Sequence, residues 1–151
     1  MRAVVQRVTS ASVTSRASSN DDWVTVGEIG PGLMVLVGVT HDDDVAAADK
    51  LATKLAGLRV FDDADGVMNL GALDVGAECL VVSQFTLYGD TSKGRRPSWI
   101  AAARPAHAEP LVERVVEQLS ELGMRVSTGR FRTEMQVHLS NDGPITVMIE
   151  T

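Results

Sequence analysis

Apolar and polar residues alternate along the first part of the chain. The alternation over 3–13 and 23–26 predicts two strands, joined by a hairpin loop at 15–22 that is rich in Ser, Asn and Asp. The uninterrupted apolar run over 33–39 predicts a third strand, buried on both faces. The chain is therefore expected to begin with three strands.

A helical period follows the third strand. Leu51 and Leu55 recur at helical spacing, and Thr40, followed by Asp43 three residues later, matches a capping box at the helix start. The acidic triplet Asp42–Asp44 is a candidate metal site, but acidic residues are favoured at a helix N-terminus, so capping is the preferred interpretation. We expect a helix capped by Thr40.

The second half of the chain predicts a strand, a Gly-, Pro- and charge-rich loop, a helix and two strands, in that order, over 78–87, 89–98, 105–122, 135–139 and 145–149. A turn at 141–144 is expected to join the last two strands. Consecutive strands before and after the helices predict an α+β class with a mainly antiparallel sheet, because a short turn joins only antiparallel neighbours. Residues 1–151 are expected to form one domain.

Composition narrows the class of protein. A chain of 151 residues, with 44% hydrophobic and 23% charged residues, is typical of a single globular domain. No apolar run approaches the roughly 20 residues that cross a bilayer, and no secretory signal is recognisable. Cys79 lies in an apolar run, which favours a buried thiol over a reactive one. We expect a soluble, cytoplasmic protein.

Charge is distributed unevenly along the chain. The net charge of −6 argues against a general nucleic-acid binder, but residues 93–132 carry eight basic and four acidic residues. Lys93, Arg95 and Arg96 open this basic segment. It is either an ordinary solvated surface or a local contact to phosphate, since a few cations can bind a nucleic-acid backbone despite a negative total charge.

Common catalytic motifs are missing from the sequence. None of His41, His107 and His138 belongs to a metal-ligand spacing, and no P-loop, GxGxxG or GxSxG motif occurs. Gln84 and Thr86 share one face of their predicted strand with apolar residues. These two side chains therefore either meet solvent at the strand end or face a cavity.

Two separated segments carry a family resemblance. SQFTL at 83–87 and NDGPIT at 141–146 resemble the paired signature motifs of the D-aminoacyl-tRNA deacylases, also called D-tyrosyl-tRNA deacylases. The resemblance covers essentially the whole chain and includes MRAVVQRV at 1–8, GEIGPGLMVLVGV at 27–39, KGRRPSW at 93–99, TGRF at 128–131 and MQV at 135–137. The chain departs from the family pattern in a longer first hairpin and in Tyr88-Gly89, where small residues are frequent.

The resemblance implies an ester hydrolase with a barrel-like core and two principal helices. Proteins of this family release the amino acid from D-aminoacyl-tRNA and from glycine mischarged onto tRNA, spare L-aminoacyl-tRNA, and use no metal or organic cofactor. The implied partner is the acceptor end of aminoacyl-tRNA, with neither membrane nor DNA among the expected partners. The alternatives are a noncatalytic RNA- or amino-acid-binding module on the same scaffold and a dimeric structural protein with a vestigial pocket.

The same resemblance implies the site residues. Ser83, Gln84 and Met135 are expected to bind substrate, and the main-chain amides of Phe85 and Thr86 to stabilise the oxyanion. The Thr86 hydroxyl has two possible roles: a nucleophile, or a dispensable group beside a tRNA 2′-hydroxyl that activates water. The second role is preferred, because no base accompanies Thr86 in the sequence.

The resemblance further implies a homodimer whose subunits share the active site. Gly143 and Pro144 of one subunit enter the site of the other and act as the chirality filter, braced by Arg7. Their peptide bond is expected to be cis, although only about 5–6% of X-Pro bonds are cis in folded proteins. The three basic residues of the 89–98 loop become candidate contacts to the acceptor stem.

Overall fold

A mixed six-stranded sheet forms most of the molecule. The computed structural model describes residues 1–151. The strands are β1 (Arg2–Arg16), β2 (Val24–Ile29), β3 (Gly32–Gly38), β4 (Phe61–Asp62), β5 (Met68–Leu70), β6 (Glu78–Ser83), β7 (Arg125–Thr128) and β8 (Glu134–Glu150). The helices are α1 (Val45–Ala56) and α2 (Pro105–Glu121), and a 3-10 turn, Phe85–Tyr88, follows β6. β4 and β5 form a separate small hairpin.

β1 is the centre of the sheet and pairs antiparallel with three strands. Its first half pairs with β3 and its second half with β2 along one edge, while β8 follows its other edge. β3, β6 and β7 are parallel neighbours, and each of the two crossovers contains a helix. Ser127 on β7 donates a 2.9 Å hydrogen bond to the carbonyl oxygen of Glu28 on β2, so the sheet nearly closes into a barrel. The expected α+β class is confirmed.

Two apolar clusters cover the two faces of the sheet. The larger, of 24 buried residues, lies between the sheet and the helices, and Leu51, Leu55 and Leu119 are completely buried in it. The smaller, of seven residues, includes Leu80 and lies on the opposite face, inside the barrel. Since each fully buried Leu contributes roughly 1.5–3 kcal/mol, the larger cluster fixes both helices on the sheet. Neither helix is long and apolar enough to cross a membrane.

Cys79 is completely buried in the larger cluster. Burial raises the pKa of its thiol to about 12, because the apolar surroundings disfavour the thiolate. The expectation of a buried thiol is confirmed.

The first helix begins later than the sequence pattern predicted. Asp44, not Thr40, caps α1, and its Oδ1 accepts a 2.8 Å hydrogen bond from the amide of Ala47. Asp43 is buried, and its Oδ2 accepts the 2.7 Å bond from the amide of Thr40 that a capping box predicts. Its Oδ1 accepts a 2.6 Å bond from the ammonium group of Met1, because a buried ammonium needs an anionic partner.

β6 ends at Ser83, four residues before the predicted end of the strand. The following 3-10 turn crosses over Gly38 of β3, where a Cβ would lie 3.1 Å from a side chain of the turn. Gln84 and Thr86 therefore do not continue the apolar face of the strand as predicted. The side-chain amide of Gln84 donates a hydrogen bond to the hydroxyl of Thr86.

The last strand is continuous where a turn was expected at 141–144. The pairing of β8 with β1 shifts register between Gln6 and Val8, and again between Val8 and Ser10. The 141–144 segment therefore bulges from the ladder without reversing the chain. Gly and Pro occur in bulges as well as in turns, and the local sequence does not separate the two.

Candidate functional site

A cavity of about 630 Å³ opens at the end of β6, beside the 3-10 turn. Of the 18 residues that line it, 12 are hydrophobic, and Ser83, Gln84, Phe85 and Met135 are among the lining residues. The turn after β6 and the start of β8 thus bring residues from two distant segments to one place. A mostly apolar cavity of this size, with a few polar groups, is typical of a small-molecule site.

The 3-10 turn presents two amides that its own hydrogen bonds do not use. The first bond of the turn is donated by the amide of Leu87 to the carbonyl oxygen of Gln84, at 3.2 Å. The N–H groups of Phe85 and Thr86 come before it and have no intrahelical partner, and no side chain caps the turn. Paired backbone amides of this kind can stabilise a developing oxyanion.

The Thr86 hydroxyl has no base beside it. It accepts a hydrogen bond from Nε2 of Gln84. The ionisable side chains that line the cavity belong to Arg104 and Arg132, neither of which can accept a proton. A hydroxyl without a base is a weak nucleophile, so the geometry favours attack by water over attack by Thr86.

Arg104 was not singled out in the sequence, and Arg132 was noted only as the end of the basic segment. Arg104 immediately precedes α2, Arg132 lies in the loop before β8, and both are exposed at the cavity. Arg132 has a φ of 59°, a left-handed conformation that is uncommon for a residue other than glycine. Both residues fall within the 93–132 segment, whose excess of basic residues was the only sequence signal for them. Two cations at the cavity suit an anionic substrate.

The basic loop at 90–98 is closed at its base and open at its tip. Backbone hydrogen bonds of 2.8 and 2.9 Å join Asp90 and Ser98. Lys93, Arg95 and Arg96 are exposed to solvent at the tip, and none of them forms an ion pair. Their charges are therefore available to an external anion.

Gly143 and Pro144 lie apart from this cavity within the chain. Their peptide bond is cis, as expected. Both residues are exposed, and neither lines the cavity. One chain therefore brings the SQFTL residues and Met135 together but leaves the Gly-Pro pair outside.

The bulged segment is held from β1. Arg7 is buried, donates a 2.5 Å hydrogen bond to the carbonyl oxygen of Val60, and places its Nε 2.8 Å from Oδ2 of Asp142. This second contact is an ion pair that is not aligned as a hydrogen bond. Asn141, which the sequence reasoning missed, spans the bulge by donating 2.9 and 3.0 Å bonds to the carbonyl oxygens of Arg7 and Ile145. An Asn two residues before a Gly-Pro pair was the available signal, since Asn side chains readily hydrogen-bond to nearby backbone.

A single family description accounts for nearly the whole chain. The sequence model of the D-Tyr-tRNA(Tyr) deacylases matches residues 4–150. The chain belongs to this family. The resemblance carried by the SQFTL and NDGPIT segments is thereby confirmed, and the cavity at the end of β6 lies in a deacylase fold.

Relatives and solved structures agree with this family. The chain is 55% identical to the D-aminoacyl-tRNA deacylase of Symbiobacterium thermophilum, over all of this chain and 96% of the relative. The c-Myc DNA unwinding element binding protein superimposes with a TM-score of 0.88 at 37% identity, over 100% of this chain and 99% of that one. A probable eukaryotic D-amino acid tRNA deacylase superimposes with a TM-score of 0.82 at 16% identity, over 99% and 98%, and so shares the fold.

Proposed function

We propose that this deacylase hydrolyses the ester that joins a D-amino acid to the terminal ribose of tRNA, as a proofreading enzyme of translation in the cytoplasm. The family match over residues 4–150 carries the proposal. Homologues at 55% and 51% identity are named D-aminoacyl-tRNA deacylase. The placement of the SQFTL segment at the cavity supports the same activity.

In the proposed reaction, water attacks the ester carbonyl carbon. The bond from this carbon to the ribose oxygen breaks, the ribose oxygen takes up a proton, and the free amino acid leaves. The amides of Phe85 and Thr86 stabilise the charge that develops on the carbonyl oxygen, at roughly 2.7–4 kcal/mol per donor in comparable sites. The 2′-hydroxyl of the tRNA helps to activate the water, since the chain supplies no base beside Thr86. The scheme uses no metal or organic cofactor.

The cavity and its surroundings divide into two binding regions. Ser83, Gln84 and Met135 line the cavity and are assigned to the aminoacyl group. Arg104 at the cavity and the unpaired cations of the basic loop are assigned to the tRNA phosphates. A cationic rim beside an apolar cavity matches a substrate with a polyanionic body and a small acyl group.

A second copy of the chain completes the site in this proposal. β8 pairs with β1 along one edge, which leaves the other edge of this 17-residue strand open. Exposed Leu139 and Met148 lie on the same strand. Open strand edges invite pairing with another chain, and pairing here would carry the exposed Gly143-Pro144 segment to the partner. We infer a homodimer with a shared site.

Steric exclusion explains how the Gly-Pro pair would act as a chirality filter. A D-residue and an L-residue carry the same groups, so attraction alone discriminates poorly between them. A rigid backbone wall beside the α-carbon rejects one side-chain direction. Gly143 has no Cβ and can approach the substrate closely, and Arg7 braces the segment through Asp142. Glycine has no side chain to reject, so glycyl-tRNA would also be hydrolysed.

Deacylation of matched D-, L- and glycyl-tRNA substrates tests the proposal. We expect hydrolysis of D-tyrosyl- and glycyl-tRNA, with L-tyrosyl-tRNA spared. Equal rates on the D- and L-esters would refute the filter. Binding of aminoacyl-tRNA without hydrolysis would instead support a noncatalytic module.

Gly143→Ala gives a cleaner test of the filter. A Cβ at this position has no atom of its own chain nearer than 3.8 Å, so folding should be unchanged while turnover of the D-ester falls. Gly30→Ala is the matched control, because its added Cβ also has open space, with the nearest atom at 3.7 Å. Unchanged turnover in Gly143→Ala would place the filter elsewhere.

A further inference from the structure

The 3-10 turn that carries the two amides has little of its own to hold it in place. None of its four residues is buried, and no side chain caps it. The hydrogen bonds of a 3-10 turn are also less well aligned than those of an α-helix. Yet a displacement of about 1 Å can cost a reaction up to 10²-fold. Contacts from outside the turn must therefore fix its amides.

Arg2 holds the end of the turn from β1. Its Nη1 donates a 3.0 Å hydrogen bond to the carbonyl oxygen of Leu87. Its guanidinium carbon lies 4.7 Å from the centroid of the Tyr88 ring. Its Nε pairs with Glu150 on β8 at 2.5 Å. The planar, five-donor guanidinium can make these three contacts at once, which ties the turn to β1 and β8 together.

Trp99 contacts the first residue of the turn and the residue that follows the turn. Its ring meets the ring of Phe85 edge to face, with centroids 5.6 Å apart and an interplanar angle of 75°. It also lies directly on Gly89, where a Cβ would overlap the six-membered ring. The amide of Gly89 closes the turn through a 2.9 Å hydrogen bond to the carbonyl oxygen of Thr86. The absence of a side chain at Gly89 is what lets Trp99 approach this closely.

We propose that Arg2 and Trp99 are positioning residues that together clamp the 3-10 turn to the rest of the chain and so fix the amides of Phe85 and Thr86 for the reaction. The role of these amides rests on the proposed function. The clamp itself is a property of the free protein, and can be measured without substrate. A measurement without substrate is needed because Trp99 also lines the cavity, so a change in kinetics alone would not separate positioning of the turn from contact with the substrate.

Kinetics of three variants test the clamp. Arg2→Gln removes one side of it, Trp99→Ala removes the other, and Gly89→Ala pushes the Trp99 ring away without removing any group. We expect kcat on D-tyrosyl-tRNA to fall at least about tenfold in each, while KM changes less than about twofold. Trp99→Phe keeps a ring at this position and should recover most of the lost kcat.

The far end of β1 provides a matched control. Arg16 pairs with Glu134 on β8 at 2.6 Å, and its guanidinium carbon lies 4.6 Å from the centroid of the Trp23 ring. Arg16→Gln therefore removes an ion pair between β1 and β8 and a guanidinium–ring contact, as Arg2→Gln does, but away from the turn. Trp23→Ala removes a Trp ring that lies just before β2, also away from the turn. Both variants should keep the kcat of the unmodified protein. An equal loss in these controls would overturn the proposal.

Amide hydrogen exchange gives a readout that does not depend on activity. The amides of Leu87 and Gly89 should exchange at least about tenfold faster in the clamp variants, because the turn opens more often. The Gly66 amide, which donates a 3.0 Å bond to Asp63 in the β4–β5 hairpin, is the internal control and should be unchanged. If Arg2→Gln fails to fold, Gly89→Ala carries the test.

The outcomes separate the clamp from the proposed function. Exchange and kcat that are both unchanged in folded Gly89→Ala would overturn the clamp. A clamp variant with faster exchange at the turn and lower kcat supports it. An unmodified protein that hydrolyses no D-ester would overturn the proposed function, and the exchange rates would still decide whether the clamp exists.

Discussion

Tyr88, under the guanidinium of Arg2, is the single tyrosine of the chain. Burial raises its pKa to about 12, and the negative charge of Asp43 acts in the same direction while Arg2 opposes it. Because the folded pKa is raised above the ordinary value of 10.0, the stability that Tyr88 contributes is complete below pH 10 and is lost as the pH rises through about 12. Ultraviolet titration should show a midpoint near 12, and a midpoint near 10 would contradict the packing of Tyr88.

Thr86→Ala should retain most of the deacylase activity. The substitution removes the hydrogen bond from Gln84, whose net worth is about 1 kcal/mol, and leaves the Thr86 amide in place. We expect a loss of less than about tenfold in single-turnover rate. Thr86→Pro, which removes the amide donor, should be far more damaging. Complete loss in Thr86→Ala with tRNA binding retained would show that the hydroxyl is the nucleophile.

Single residues could be interpreted from the sequence when their role is local. Cys79 was expected to be buried because its neighbours are apolar, and burial is a property of that strand. Asp43 accepts the predicted bond from the Thr40 amide, but its second partner, the ammonium group of Met1, is 42 positions away and was not predicted. Arg2 and Trp99 were not singled out for the same reason, since the groups that they contact are close only after folding.

Loss of the three cations of the basic loop should weaken tRNA binding. Replacing Lys93, Arg95 and Arg96 with Ala should raise KM more than it lowers kcat, because their unpaired charges contact phosphate and not the reacting ester. The salt dependence of log KM should lose up to about one unit of slope per cation. Unchanged KM at physiological salt would place the tRNA contact elsewhere.

A second triple variant controls for net charge in this experiment. Lys50, Lys54 and Arg59 lie in or just after α1, outside the lining of the cavity. Replacing these three residues with Ala changes the total charge equally. KM and its salt dependence should then stay close to those of the unmodified protein.

At the scale of elements, the sequence predicted which helices and strands form better than it predicted where they begin and end. Both helices and the long apolar strand were predicted because each buries a periodic apolar face. β6 stops early because the turn crosses Gly38 on a neighbouring strand, and β8 continues through a bulge because β1 pairs with it on both sides. Such ends depend on neighbours that the local pattern does not contain. Periodicity alone did not indicate a cavity beside Gln84, whereas the SQFTL motif pointed to the segment that lines it, and the Gly-Pro pair of NDGPIT lies outside this cavity in its own chain.

For the whole molecule, we expect a homodimer. Light scattering at micromolar concentration should give a molar mass of about twice 16.1 kDa, because the open edge of β8 can pair with a second copy of the chain. Met148→Lys, which places a charge on this strand, should shift the mass toward 16.1 kDa and lower activity. Val67→Lys, at an exposed position on the β4–β5 hairpin, is the control. A fully active monomer would contradict the shared site.

The burial of Cys79 makes the chain suitable for site-specific labelling. Maleimides react with the thiolate, and a completely buried thiol with a pKa of about 12 supplies almost none at neutral pH. Thr91→Cys, at an exposed position in the basic loop, would therefore create the single reactive thiol without any change to the native cysteine. A fluorophore attached there would stand beside the cations assigned to tRNA, and would report the arrival and departure of each tRNA in real time.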